Sequence, residues 1–387
     1  MQRPLTVAMV AGEASGDQLA ADLMVALRQH YPSIRFVGIG GPRMQAEGLE
    51  SWYDMNELSV MGFAEVVGRL PRLLKLRRAL IARLRLLQPD LFIGVDAPDF
   101  NFTVERELKA SGVPTVHYVG PSVWAWREKR LEKIRQCVDG VLLLFPFEPP
   151  LYERYGIPAA YVGHPLARKI PMKPDRHGAR ARLGLDESAQ VTALLPGSRH
   201  GEVQRIFPVY LEAIALLRQV YPEMQFVVPA ASDALADEMA AMIDARGGRL
   251  PVEILRQDGM ALALQVADQA VVFSGTASLE AALYKCPMII TAKVSPLTYW
   301  IAKRLVKIPW VGLPNVLAGR EIVPELIQDE ARAERIAVKL GQLVVDELRR
   351  RRQIEAFETM HERLRRDSGR EAIRAMQAWG VLPHEPA

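Results

Sequence analysis

The sequence predicts an α/β protein with two Rossmann-like domains. Three observations predict it: short apolar runs alternate with amphipathic helical segments, the alternation pauses and restarts near the middle, and 387 residues exceed what one hydrophobic core usually organises. Apolar residues make up 49% and charged residues 24%, which places the chain among globular proteins and excludes the low-hydrophobicity signature of disorder.

Taken in order, the apolar runs at 5–11, 35–39, 91–95, 115–119 and 141–144 read as strands of a parallel sheet, and residues 16–30, 102–111 and 129–137 carry apolar side chains at helical spacing. Gly163, His164, Pro165, Pro171, Pro174 and Gly178 then supply turn formers without periodicity, which sets a boundary between 165 and 166. Strands resume at 191–195, 225–228, 252–255, 270–273 and 288–291, so a second domain is expected over 166–350. The tail, taken as a separate segment over 351–387, reads as helical, and the four arginines at 349–352 read as a solvated face.

Several classes are excluded. No apolar run reaches 18 residues, so a transmembrane helix is not expected. The run at 5–11 is followed at once by Glu13 and Asp17, too soon for a secretory signal. Cys137 and Cys286 are far apart and show no metal spacing, which suits a reducing cytoplasm, and no metal site is expected. Net charge is only +4, but basic residues cluster. Between 60 and 87, Val60, Met61, Phe63, Val66, Val67, Leu70, Leu73, Leu74 and Leu76 interleave with Arg69, Arg72, Lys75, Arg77, Arg78, Arg83 and Arg85. That pattern suits an anionic membrane surface and equally a core-packed helix with a solvated basic face. Lys303, Arg304 and Lys307 beside Trp300 and Trp310 extend the basic character, and no nucleic-acid motif accompanies it.

Open α/β sheets bind ligands beyond the carboxyl ends of their strands, where loops lead into helix N-termini. After the first strand comes Gly12-Glu13-Ala14-Ser15-Gly16-Asp17, in which Ser15 or Asp17 suits a helix cap and Glu13 is a carboxylate with no capping duty. Asp96, in Asp96-Ala97-Pro98-Asp99-Phe100-Asn101, ends an apolar strand, and a carboxylate there can act as general base or can satisfy loop N–H groups; Asp99 is expected in the turn that Pro98 starts. Trp124 and Trp126 would share a side if extended, as a sugar platform or as interface packing. His117 and His164 read as structural. Leu195-Pro196-Gly197-Ser198-Arg199 and Ser274-Gly275-Thr276-Ala277-Ser278-Leu279-Glu280 each lead from a strand into a helix, as two capped helices or as a diphosphate and ribose site with Arg199 and Glu280 as partners.

Together these motifs, with GPRM at 41–44, PSVWAW at 121–126 and LPNVLAGRE at 313–321, resemble the lipid A disaccharide synthases over nearly the whole chain. The resemblance implies two facing Rossmann-like domains of the GT-B glycosyltransferase type, with C-terminal helices returning to the N-terminal, acceptor-binding domain. It also implies an inverting transfer from UDP-2,3-diacylglucosamine to 2,3-diacylglucosamine 1-phosphate, giving a β-1,6 disaccharide 1-phosphate and UDP, with no cofactor, at the inner membrane surface. By position, Asp96 would be the base with Glu13 beside it in the catalytic set. Ser15, Gly16 and Trp124 would line the acceptor side, and Ser198, Arg199, Gly275, Thr276, Ser278, Glu280 and Asn315 would hold the donor. A homodimer is left open. Gly120 departs from the serine expected in many relatives. The competing readings are a UDP-sugar epimerase or polyprenyl-linked glucosaminyltransferase of the same fold, and a non-catalytic nucleotide-sugar-binding membrane scaffold.

Overall fold

A computed structural model describes residues 3–58, 63–126, 128–246, 250–256, 259–306 and 308–384. The chain divides into two compact units, Met1–Pro165 with Leu364–Ala387, and Leu166–Arg363.

The first unit holds seven strands, β1 (Leu5–Ala11), β2 (Ile34–Gly40), β3 (Leu49–Asp54), β4 (Leu91–Val95), β5 (Thr115–Tyr118), β6 (Gly140–Leu143) and β7 (Ala159–Tyr161), in the order β3-β2-β1-β4-β5-β6-β7. Every pairing is parallel. Helices cover both faces, so the central strands are apolar throughout; β4 is buried at all of its positions. Ser368–Ala378 packs Ala372, Ile373 and Met376 into the core that contains Leu23 and Leu27 of the first helix, Ala14–His30.

The second unit holds β8 (Val191–Leu195), β9 (Gln225–Pro229), β10 (Val252–Leu255), β11 (Gln269–Phe273), β12 (Met288–Ala292) and β13 (Glu325–Ile327), in the order β10-β9-β8-β11-β12-β13 and again parallel. Its core includes Val203, Ile206 and Phe207 of the His200–Val220 helix against Val228, Val271 and Ile289.

In both sheets the strand order reverses once, between β1 and β4 and between β8 and β11, and each reversal opens a crevice at the carboxyl ends of two neighbouring strands.

Three strands escape the sequence pattern: β3, β7 and β13. All are edge strands, short and half-exposed, so neither a continuous apolar run nor a clean alternation marks them. The segment 129–137 is a single turn, Glu128–Arg130, and a short helix, Leu131–Ile134, rather than one helix. The return to the first unit also starts at Leu364, later than 351, because the Glu347–Leu364 helix is tied to the second sheet: Gln353 accepts from Met288 N–H (2.8 Å) and donates to Met288 C=O (3.2 Å).

Candidate active site

At the reversal in the first unit, Ala11 at the end of β1 pairs with Val95 at the end of β4, which sets the two following loops side by side. Gly12 permits the approach, since a Cβ there would lie 2.9 Å from the Ala97 Cβ. Glu13 occupies the N-cap position of Ala14–His30 with its exposed side chain capping nothing. Ser15 is exposed in the first turn, and Gly16 is buried where an added Cβ would just reach van der Waals contact with Val95 (3.5 Å to its carbonyl oxygen). Neither Ser15 nor Asp17 caps this helix. Asp17 is 2% exposed and its carboxylate accepts from the N–H groups of Gly41 (2.8 Å), Arg43 (3.0 Å) and Met44 (3.1 Å), so it caps the Pro42–Ala46 helix and joins the GEASGD and GPRM motifs.

Asp96 and Ala97 follow β4 with φ of 52° and 42°. Left-handed backbone at a non-glycine residue is uncommon, costs on the order of 1–3 kcal/mol, and persists only where its surroundings enforce it. Here Asp96 N–H donates to Tyr118 C=O (2.9 Å), and Ala97 C=O accepts from Phe100 N–H and Asn101 N–H (both 3.0 Å). The half-buried carboxylate of Asp96 takes no hydrogen bond or ion pair among the described residues, so it does not satisfy loop N–H groups. Asp99 lies in the first turn of the Pro98–Lys109 helix rather than in a separate turn, and it pairs with Arg130.

Val123–Trp126 is a helical turn and not the extended segment that the shared side assumed. Trp124 packs edge-on against Phe147 (5.2 Å between ring centres). The neighbouring Glu148 accepts from Phe145 N–H (3.0 Å), yet it is 2% exposed, and burial pushes its carboxyl up to about 8 against that donor. Gly120 is forced by a neighbour: a Cβ would lie 2.4 Å from the Tyr152 hydroxyl and 2.5 Å from Leu143 Cδ2.

In the second unit, Leu195 of β8 pairs with Val272 of β11, and the loops beyond them line one cavity of about 440 Å³ that includes Ser198, Arg199, Gly275, Thr276 and Glu280. The two loops differ. Glu202, one turn into His200–Val220, reaches back to accept from the N–H groups of Ser198 (3.1 Å) and Arg199 (3.2 Å), and its other oxygen lies 3.4 Å from the exposed Arg199 guanidinium. Gly197, at φ 110°, leaves room for that carboxylate, which a Cβ would meet at 2.5 Å. Thr276–Leu283, by contrast, starts at Gly275 with no side-chain cap.

Ser278, expected among the donor ligands, is buried and gives its hydroxyl to Gly275 C=O (2.7 Å), so it braces the turn. Asn315, expected there too, donates to Val323 C=O and the Glu325 carboxylate (both 2.8 Å) and accepts from Ile322 N–H (2.8 Å) and Val323 N–H (3.0 Å). Those bonds use its whole amide, and it lines no part of the cavity. Glu280 does line it; burial raises its carboxyl pKa, and Lys169 opposes the rise. Another hollow of about 390 Å³, at the starts of β8 and β11, contains none of the expected site residues. Among the described residues no group of three or more His, Cys, Asp or Glu is placed to hold a metal ion.

The Phe63–Leu87 helix buries Leu80 and Leu84, while Arg72 pairs with Glu57, Arg83 with Glu50 (3.7 Å) and Arg85 with Glu107 (2.8 Å). Leu70 and Leu86 stay exposed, and Arg304 stacks on the exposed ring of Trp300 at 3.5 Å. Val60, Met61 and Lys307 lie outside the described residues, as do the side chains at 63–69 and that of Trp126.

Residues 7–378 match the family described as lipid-A-disaccharide synthetase. The chain belongs to that family. It is 49% identical to the lipid-A-disaccharide synthase of Hydrogenovibrio crunogenus over 97% of this chain and 100% of that one. It is 50% identical to the synthase of the same name from Pseudomonas aeruginosa over 96% of this chain and 97% of that one. Among solved structures it is similar to a UDP-GlcNAc 2-epimerase from Neisseria meningitidis bound to UDP-GlcNAc (TM-score 0.62, 13% identity, 93% of this chain and 99% of that one). Acinetobacter baumannii MurG is similar too (TM-score 0.56, 14% identity, 96% and 99%). At such identities these two likenesses speak for the fold, the GT-B arrangement of two parallel α/β sheets.

In the candidate crevices of the two units, sequence reasoning missed Glu148 of the first and Glu202 of the second. Glu202 had a local signal, since an acid three residues after an N-cap is the second half of a capping box. Glu148 had none, because its burial comes from tertiary packing in which Trp124, from another strand's loop, lies on the neighbouring Phe147.

Proposed function

We propose that the chain is an inverting glycosyltransferase that condenses UDP-2,3-diacylglucosamine with 2,3-diacylglucosamine 1-phosphate into the β-1,6 disaccharide 1-phosphate of lipid A biosynthesis and releases UDP. The observation that carries the reading is identity of 49% to a named synthase across 97% of the chain. In this reading Asp96 removes the proton of the acceptor 6-hydroxyl as that oxygen bonds to the anomeric carbon, while the bond to the diphosphate breaks and its electrons leave with UDP. A carboxylate with no partner among the described residues suits that work. Glu13, Ser15, Gly16 and Trp124 belong to the acceptor side. Because Glu202 already occupies the amides of Ser198 and Arg199, we assign the diphosphate to the uncapped turn at Gly275 and Thr276 together with the exposed Arg199 guanidinium, whose long contact with Glu202 would be exchanged for the phosphate. Glu280 accepts from ribose hydroxyls. Ser278 and Asn315 support these loops from behind.

Both substrates carry acyl chains, and we further propose peripheral contact with an anionic membrane through the basic, partly apolar Phe63–Leu87 helix and the Trp300 region. No described helix is long and apolar enough to cross a membrane. The test is an assay of UDP release and disaccharide formation with the acylated pair. Asp96→Asn is expected to lower turnover by about 10²- to 10⁴-fold while UDP still binds. Free epimerised sugar as the product, or unchanged turnover in the variant, would overturn the reading.

A further inference from the structure

Two adjacent non-glycine residues in left-handed backbone at the end of β4 need something to enforce them, and the structure assigns that task to the buried side chain of Asn101, which we propose as the positioning residue for Asp96. Asn101 is fully buried one turn into the Pro98–Lys109 helix. Its amide nitrogen donates to Asp96 C=O (2.8 Å) and to Val10 C=O (3.2 Å), with Val95 C=O at 3.5 Å. All three neighbours are acceptors, so the NH₂ end must face them. One side chain therefore grips the peptide after Asp96 and ties it to β1 and β4, the two strands that open the crevice.

The seat of Asn101 is built for it. Gly94 of β4 lies beneath, where a Cβ would stand 2.9 Å from the Asn101 Cβ and 2.2 Å from Glu105 Oε1. Glu105, one turn further along the helix, is fully buried and lies 2.7 Å from His117 Nδ1 of β5, whose ring packs on Phe102 (4.4 Å). Helix and sheet thus meet through polar groups at the one place where an apolar contact would leave the Asp96 peptide ungripped. Among the described residues Asn101 Oδ1, Glu105 Oε2 and His117 Nε2 are buried without hydrogen-bond partners, a cost that packing for stability alone does not select.

The inference rests on Asp96 being the base, and a double-mutant cycle separates the two claims. Turnover, KM for both substrates, UDP affinity and the thermal midpoint are measured for wild type, Asn101→Ala, Asp96→Asn and the double variant, with residual turnover read at high enzyme concentration. Expected is a fall in turnover of about 100-fold for Asn101→Ala, the loss that a small misplacement of a reacting group brings, with KM and UDP affinity little changed. In the Asp96→Asn background the same substitution should remove almost nothing more, because Asn101 acts through Asp96. Asn101→Ser, which keeps one donor and a smaller volume change, should lose less turnover than Asn101→Ala and carries the test if the alanine variant fails to fold. Loss in Asp96→Asn with full turnover in the Asn101 variants overturns this inference alone. An equal further loss in the Asp96→Asn background also overturns it and leaves Asn101 structural. Full turnover in Asp96→Asn overturns the reading of the base and this inference with it.

Discussion

The turn from β4 into Pro98–Lys109 and the turn from β11 into Thr276–Leu283 do the same topological job at the reversal points of two similar sheets, with opposite chemistry. The first passes through Asp96 and Ala97 with positive φ at both, whereas the second passes through Gly275 at φ 156°, where no Cβ would meet anything within 4 Å. A glycine removes backbone strain but offers only amides, which is enough where a diphosphate is to be held. A carboxylate requires a side chain, so on the proposed reading the first turn keeps its strain and Asn101, which bonds the Asp96 carbonyl, holds it. Strain is retained where a side chain must be presented and avoided where the backbone alone suffices.

The sharpest way to break this comparison is to give the first turn the residue of the second. Asp96→Gly should lower turnover by about 10²- to 10⁴-fold with no loss of thermal midpoint, since glycine adopts the same dihedral without steric penalty. A clear drop in midpoint would show that the carboxylate serves the fold. The converse change, Gly275→Val, places a β-branched residue in a conformation it resists. UDP affinity by calorimetry should weaken on the order of tenfold, about 1.4 kcal/mol, and unaltered affinity would move the diphosphate away from this turn.

A third test concerns proton binding in the first unit. Burial lifts Glu148 from an ordinary 4.5 to about 8, so the native state holds a proton there that the unfolded chain releases. The associated stability is full below the ordinary carboxylate range and is lost as pH rises toward 8. Thermal midpoints of wild type should therefore fall over that window more steeply than those of Glu148→Gln, and parallel curves would refute the assignment. Smallest is the effect of Glu202→Gln: with the negative charge gone from the Ser198 and Arg199 amides, UDP should bind a few-fold more tightly, at a stability loss of about 0.5 kcal/mol from the weakened capping box. Weaker UDP binding would mean that the Glu202 charge helps hold the donor through Arg199.

The interior strands and the loops that carry the site were legible in the sequence because each depends on its own residues. β1, β4, β8 and β11 run where largely apolar stretches end in small or acidic residues, and Asp96, Arg199 and Glu280 follow such ends. Edge strands such as β7 carried no such pattern, since one flank of an edge strand faces solvent and demands no apolar run.

What local pattern determined by itself was therefore the alternation of strand and helix, the division near residue 165 and the positions of the crevice loops. Tertiary structure decided the partners. Asp17 caps a helix 24 residues away, Asn101 bonds a carbonyl 91 residues away, and Trp124 packs on Phe147 from the loop after the next strand. The physical reason is that a buried polar group must find whichever complementary group the fold brings within about 3 Å, and that neighbour is set by sheet order and not by proximity along the chain.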